Sequence, residues 1–153
     1  MKEVITAQYL KTLLPSQDFL ICGSLAISLV GINCPKRKDL DIVLVNPPQS
    51  TLDVLKDLQK TYPVKGPKIS KDGYPESNTL YRFMYDGIDV DVFISASPIQ
   101  THLMTKEGIR ITPINYVVNE KLKLNRPKDY IQLKNWADQI MSDSKLKELF
   151  TLF

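Results

Sequence analysis

Histidine and cysteine are nearly missing from this chain, and several kinds of chemistry are excluded with them. The one histidine, His102, has no serine or cysteine pattern from which a nucleophilic triad could be built. The two cysteines, Cys22 and Cys34, form no CxxC and no Cys/His cluster, which argues against structural zinc. No apolar stretch reaches the roughly 18 residues of a membrane span. The start, Met1-Lys2-Glu3-Val4, lacks the long apolar region and small-residue cleavage site of a signal peptide. A cytoplasmic protein with reduced thiols and no membrane association is therefore expected. The formal charge of +3 is too small to argue nucleic-acid binding by itself. No internal repeat or low-complexity tract is visible. There is also no Walker-type phosphate loop and no dinucleotide fingerprint.

What is present is an ordinary globular composition, 43% hydrophobic and 24% charged over 153 residues. That length supports one domain with a real core, expected to divide into a sheet core over 1–98 and a helical part over 99–153. Ile5, Tyr9, Leu10, Leu13 and Leu14 recur at helical spacing over 5–14, and Pro15 ends the pattern. Phe19-Leu20-Ile21-Cys22 reads as a strand buried on both faces. Ser24 is placed to cap a short apolar helix that stops at Gly31. A basic loop, Cys34-Pro35-Lys36-Arg37-Lys38, leads to a second strand over 39–45. Ser50-Thr51-Leu52-Asp53 has the form of a capping box for a helix to about Lys60. A strand, a crossover helix and another strand usually make a right-handed parallel unit.

Residues 62–78 are rich in Pro, Gly, Lys and Ser. They predict a short edge strand near 64–69 and a loop around 71–75 that could border a binding site. Asp86-Gly87 between two strand-like runs, 79–85 and 88–94, predicts a β-hairpin. On its second strand Ile88, Val90, Val92 and Ile94 face one side, and Asp89, Asp91 and Phe93 the other. Beyond Pro98 the pattern is helical. Thr112-Pro113 opens one helix with Ile114, Val117, Val118 and Leu122 as its stripe. Pro127 opens another, whose expected inner face is Tyr130, Leu133, Ala137 and Ile140 or Met141. A last helix would bury Leu146, Leu149, Phe150 and Phe153.

Chemistry concentrates in three places. Gly23-Ser24 ends the first strand at a helix start, where free N–H groups and a positive dipole end suit a phosphate. Asp39-x-Asp41 opens the second strand with both carboxylates on one face. Asp89 and Asp91 lie together on one face of the later strand. If the second and third strands are neighbours, Asp39, Asp41 and one of Asp89 or Asp91 converge into an oxygen-ligand site for a hard cation. Asp-x-Asp alone is weak, because solvent-facing strands often carry acids. The apolar flanks of both acidic pairs are unlike those of solvated strands.

Gly23-Ser24, then Asp39-x-Asp41 on a strand, then a later strand aspartate resembles the DNA polymerase β-like nucleotidyltransferase superfamily. The similarity is nearest to its small bacterial members: minimal nucleotidyltransferases, abortive-infection type E toxins and antibiotic nucleotidyltransferases. It covers roughly residues 5–135. The resemblance implies an α/β (α+β) nucleotidyltransferase fold, a small mixed β-sheet with helices on one face and a helical C-terminal part. It implies transfer of a nucleoside monophosphate from a nucleoside triphosphate such as ATP to a hydroxyl, with pyrophosphate released. Gly23 and Ser24 would then bind the triphosphate. Asp39, Asp41 and Asp91, with Asp89 the alternative for the third, would hold two magnesium ions, or manganese in their place. Lys121 and the Arg126-x-Lys128-Asp129 segment resemble cleft residues of the toxin branch. The basic loop Lys36-Arg37-Lys38 departs from the arginine and then serine or threonine of many members, and Lys38 is the nucleotide contact expected from it. The acceptor stays open among transfer RNA, a protein and a small hydroxylated molecule, and an antitoxin is a candidate partner. The rival expectation is a catalytically inactive nucleotidyltransferase-like binding or antitoxin module.

Overall fold

The two most apolar runs of the chain lie in the middle of its sheet. In chain order the elements are α1 (Lys2–Leu13), β1 (Asp18–Cys22), α2 (Gly23–Leu29), β2 (Asp39–Val45), α3 (Gln49–Thr61), β3 (Thr79–Tyr85), β4 (Ile88–Ser95), β5 (Leu103–Met104), β6 (Arg110–Ile111), α4 (Ile114–Leu124) and α5 (Pro127–Ser142). This is a computed structural model, and it describes residues 2–34, 39–64, 79–97, 103–104, 108–145 and 147. Lys38 and its basic loop, the loop expected at 71–75, His102 and almost all of the last predicted helix lie outside the described residues. So does the strand expected near 64–69, apart from Val64, which is not in a strand.

The strands form one six-stranded mixed sheet in the order β3-β4-β2-β1-β6-β5. β2 runs antiparallel to β1 and parallel to β4. The parallel unit therefore connects β2 to β4, with α3 and the antiparallel strand β3 both inside the crossover. The Asp86-Gly87 hairpin forms as expected. Both residues take positive φ, 52° and 77°, the conformation a tight two-residue turn of this hand requires.

Period-2 alternation sends the strands' side chains to two different environments. On one face Phe19, Ile21, Leu40, Ile42, Leu44, Phe83, Val90 and Val92 pack under all five described helices. On the other face Leu20, Cys22, Val43 and Val45 form a smaller apolar patch with Phe93 and with Tyr116 of α4. The aspartates share this second face. The mixed sheet, the helices on one face and a helical end to the chain are those expected, but the helical part begins later than Pro98, because β5 and β6 join the sheet before α4.

The helix faces were less legible. α1 buries Val4, Thr6, Ala7 and Leu10, whereas Ile5 is exposed and Tyr9 stacks at the surface on Tyr85. Leu122 of α4 is exposed, and so are Tyr130 and Met141 of α5. Ala137, also expected inside, is exposed. Trp136 and Asp129 are the buried residues of α5 instead. A stripe read only from hydrophobicity misses a buried, paired Asp, and that shift rotates the inner face.

Two caps are also corrected. α2 begins at Gly23 with Cys22 as N-cap, so Ser24 lies inside the first turn rather than capping it. α3 begins after Pro48, which leaves Ser50 in its first turn. The Thr51 hydroxyl donates to the Pro15 carbonyl at 2.6 Å, fastening the helix to the α1–β1 connection. α4 begins at Ile114 after Pro113, one step later than the Thr112 cap predicts.

Truncating Trp136 to Ala should cost about 3–5 kcal/mol of stability, as for other buried aromatics. Met141→Ala should stay within about 0.5 kcal/mol. Urea denaturation of the two variants checks this assignment of the α5 inner face.

Candidate active site

The aspartates come together because of strand register. Across the parallel pair, Asp39 lies opposite Asp89 and Asp41 opposite Asp91. Cys22 lies opposite Asp41 on the other side, and Arg82 opposite Asp91 beyond β4. One rung of the sheet therefore reads Cys22, Asp41, Asp91, Arg82. Directly paired residues point to the same face, so these side chains stand in a row. Asp89 is exposed and two rungs away, beside Asp39.

Asp41 is the electrostatic focus of this row. Burial pushes its carboxyl up to about 7, and the charges of Asp91 and Asp39 push in the same direction. Lys121 and Arg82 pull it back only in part. Gly23 lies directly against it. A Cβ built on Gly23 would stand 2.1 Å from Asp41 Oδ2, and the residue's φ is +67°. The position thus demands glycine for space and for backbone conformation alike.

Asp91 has its own partner. Arg82 Nε donates to Asp91 Oδ1 at 2.9 Å, and a terminal guanidinium nitrogen donates to Oδ2 at 3.2 Å. Tyr81, the residue before Arg82, is turned the other way and packs in the core.

A cleft of about 100 Å³ opens between this face and α4. Gly23 and Asp41 line its sheet side. Tyr116, Glu120, Lys121 and Arg126 line its helical side. Lys121 thus faces the same space as Gly23 and Asp41. Burial lowers its pKa, partly offset by Asp129, whose Oδ1 lies 3.4 Å from Nζ. Asp129 is fully buried and also accepts from the Arg126 guanidinium at 2.7 and 2.9 Å. Burial alone would raise the Asp129 pKa, but the Arg126 hydrogen bonds and the Lys121 charge outweigh it and hold it low. Lys121 also stands 5.9 Å from the centre of the Trp136 ring. The Cys22 thiol is pushed well up by burial and by Asp41, so it is no nucleophile.

The aspartates offer oxygen donors, as a hard divalent cation prefers, and the neighbouring Cys22 thiol is kept protonated. Asp41 lacks the positive charge that its ionisation calls for. The shell is not preassembled, however: among the described residues no three His, Cys, Asp or Glu side chains stand close enough together to hold a metal. Gly23, Asp41 and Lys121 share the cleft, and Ser24 follows Gly23 in the first turn of α2. Asp39 and Asp91 flank Asp41 along its face of the sheet. The pairing of Arg82 with Asp91 was missed in the sequence. It was readable there, because counting back from the two-residue Asp86-Gly87 turn sets Arg82 opposite Asp91. Burial of Asp129 left no such signal.

Known structures share this architecture. A protein of Thermotoga maritima, provisionally named as a nucleotidyltransferase, superposes with a TM-score of 0.57 at 15% identity, covering 90% of this chain and 94% of its own. The chain has the nucleotidyltransferase fold. The antibiotic-resistance factor ANT(2'')-Ia matches with a TM-score of 0.50 at 15% identity, over 99% of this chain and 88% of its own. No family model matches the sequence, and no curated protein matches it either. No helix among the described residues is long and apolar enough to cross a membrane.

Gly23→Ala should lose at least about 1–2 kcal/mol from the left-handed backbone alone, with Asp41 displaced besides. Differential scanning calorimetry measures that loss. A pH dependence follows from Asp41. Its carboxyl stays neutral up to about 7 in the fold but ionises from about 3.8 when unfolded. Its contribution to stability is complete below the unfolded value and is lost as pH rises through 7. Without divalent metal, Asp41→Asn should be more stable than the wild type at pH 8 and equal to it near pH 4. Urea titrations at both pH values test this.

Proposed function

We propose that the chain is a metal-dependent nucleotidyltransferase, moving a nucleoside monophosphate from a nucleoside triphosphate to a hydroxyl acceptor. The observation that carries this reading is the side-by-side placement of Asp41 and Asp91 on parallel strands, with Gly23 against Asp41 at the mouth of a cleft. The fold supports it, since this architecture is shared with a protein provisionally named for the same activity.

In this reading Asp39, Asp41 and Asp91 are the carboxylates that hold two magnesium ions, or manganese. Such ions neutralise triphosphate charge and sharpen the acceptor hydroxyl as a nucleophile. Gly23 lets the triphosphate approach the backbone closely, and Ser24 adds a hydroxyl donor. Lys121, held by Asp129 on the cleft wall, meets phosphate charge from the opposite side. Lys38, which precedes β2 in the sequence, is a further proposed phosphate contact. Asp91 orients the acceptor hydroxyl and takes up its proton. The hydroxyl oxygen bonds to the α-phosphorus, the bond to the β-phosphate bridge breaks, and pyrophosphate leaves. Holding these groups in line supplies much of the rate. RNA, a protein and a small hydroxylated molecule remain the acceptor classes, with an antitoxin as a proposed partner.

A second reading, a catalytically inactive binding or antitoxin module, draws on one observation: Arg82 already neutralises Asp91. The two readings separate in one assay. The protein is incubated with magnesium, each labelled nucleoside triphosphate in turn, and a cell extract. Label should enter an extract component with the wild type and not with the double variant Asp39→Ala, Asp41→Ala. Transfer that survives both substitutions overturns the enzyme assignment. Absence of transfer by the wild type supports the binding module.

A further inference from the structure

The ion pair between Arg82 and Asp91 differs from an ordinary surface salt bridge in three respects. Its geometry is two-pronged, with Nε and a terminal nitrogen each reaching a different carboxylate oxygen. Both side chains are mostly covered, 23% and 17% exposed. Its position is fixed from behind: the Arg82 backbone N–H points away from β4 and donates to Gln59 Oε1 of α3 at 2.9 Å. An antiparallel pair whose amide points outward is a non-hydrogen-bonded pair, in which opposite side chains lie closest. The backbone of β3 therefore delivers the guanidinium onto Asp91.

The location gives the pair its meaning. Asp91 is the direct neighbour of Asp41, and Asp39 stands on the same face one step along β2. Three carboxylates gathered on half-covered strands repel one another unless a positive charge is close. Arg82 holds one of the three, Asp91, in a salt bridge. It occupies the electrostatic role that a divalent ion would take at the same oxygens. Two cations bound to one carboxylate repel each other, so occupancy by one weakens the other.

From this geometry we infer that Arg82 is the resident counter-ion of the carboxylate face, a positioning residue that a divalent cation must loosen from Asp91 in order to bind. The inference rests on the reading of Asp39, Asp41 and Asp91 as metal ligands. It deepens that reading by naming what sets the affinity. Metal binding is weakened in the empty protein because the face is already partly neutralised, while Asp91 is kept oriented beside Asp41. A purely structural salt bridge predicts the opposite sign, since losing it would loosen the site and weaken metal binding.

The test uses the full chain and manganese alone, with binding read by electron paramagnetic resonance of free Mn²⁺. Arg82→Met should bind Mn²⁺ about tenfold more tightly than the wild type, the order of effect expected when one nearby unit charge is removed from a partly screened cleft. Asp41→Asn should abolish that binding in both backgrounds. Equal or weaker binding by Arg82→Met, with the dependence on Asp41 intact, overturns the inference and leaves the metal reading standing. Failure of wild type and Arg82→Met alike to bind Mn²⁺ removes the metal reading itself, and this inference with it. If Arg82→Met does not fold, as judged by circular dichroism, Arg82→Lys carries the test. It keeps the charge but loses the two-point hold. It should bind Mn²⁺ more tightly than the wild type by a smaller factor, and unchanged binding overturns the inference.

Discussion

Asp41 and Asp91 face the same way from neighbouring parallel strands, and their mutual repulsion governs the surrounding structure. Neither can be moved without breaking strand register, because the same β-ladder positions Leu40, Ile42, Val90 and Val92 in the core. A one-residue slip would exchange the aspartates with those apolar side chains. The core therefore holds the carboxylates together against their charge. Relief comes from the outside: Arg82 grips Asp91, Lys121 acts across the cleft, and Asp41 keeps its proton to about pH 7. Gly23 belongs to the same constraint, since a side chain there would occupy the space Asp41 needs.

The helical wall answers that charge with a charge of its own. Asp129 is buried at the start of α5 between Arg126 and Lys121. A buried carboxylate is costly unless it is paired and hydrogen-bonded. Two cations around one anion leave one positive charge over, and both cations line the cleft that Asp41 lines. Asp129 thus holds Lys121 and Arg126 where they face the sheet. The same residue caps the helix, accepting from the Arg126 backbone N–H, so helix start and cleft wall are set by one side chain.

Much of the sheet was legible from local pattern. β2 and the hairpin strands follow from continuous apolar runs, period-2 alternation and the Asp86-Gly87 turn. The helices were legible as helices and partly in their orientation: Leu10, Ile114, Val117, Leu133 and Ile140 face the core as their spacing implies, and α5 departs most. Tyr130 and Met141 carry the right hydrophobicity for an inner face, yet the helix turns Trp136 and Asp129 inward. Hydrophobic spacing cannot weigh a buried ion pair against a methionine, because the pairing partner Lys121 lies on another element. The expected caps at Ser24 and Ser50 failed for a related reason. Cys22 and Pro48 already provide the extended residue before each helix, so each helix starts two residues earlier.

Local pattern was enough to name the residues that could carry chemistry: Gly23-Ser24, Asp39-x-Asp41 and an aspartate on the later strand, each on a locally recognisable element. It also set the hairpin register, because a two-residue turn leaves no freedom in which residues face each other. The placement of β2 beside β4 came from folding alone. That pairing places Asp41 next to Asp91 rather than Asp89, and its partners are separated by some fifty residues. No local signal encodes it. It comes from the sheet packing its apolar face beneath the helices, which brings the acids together because they alternate with the residues being buried.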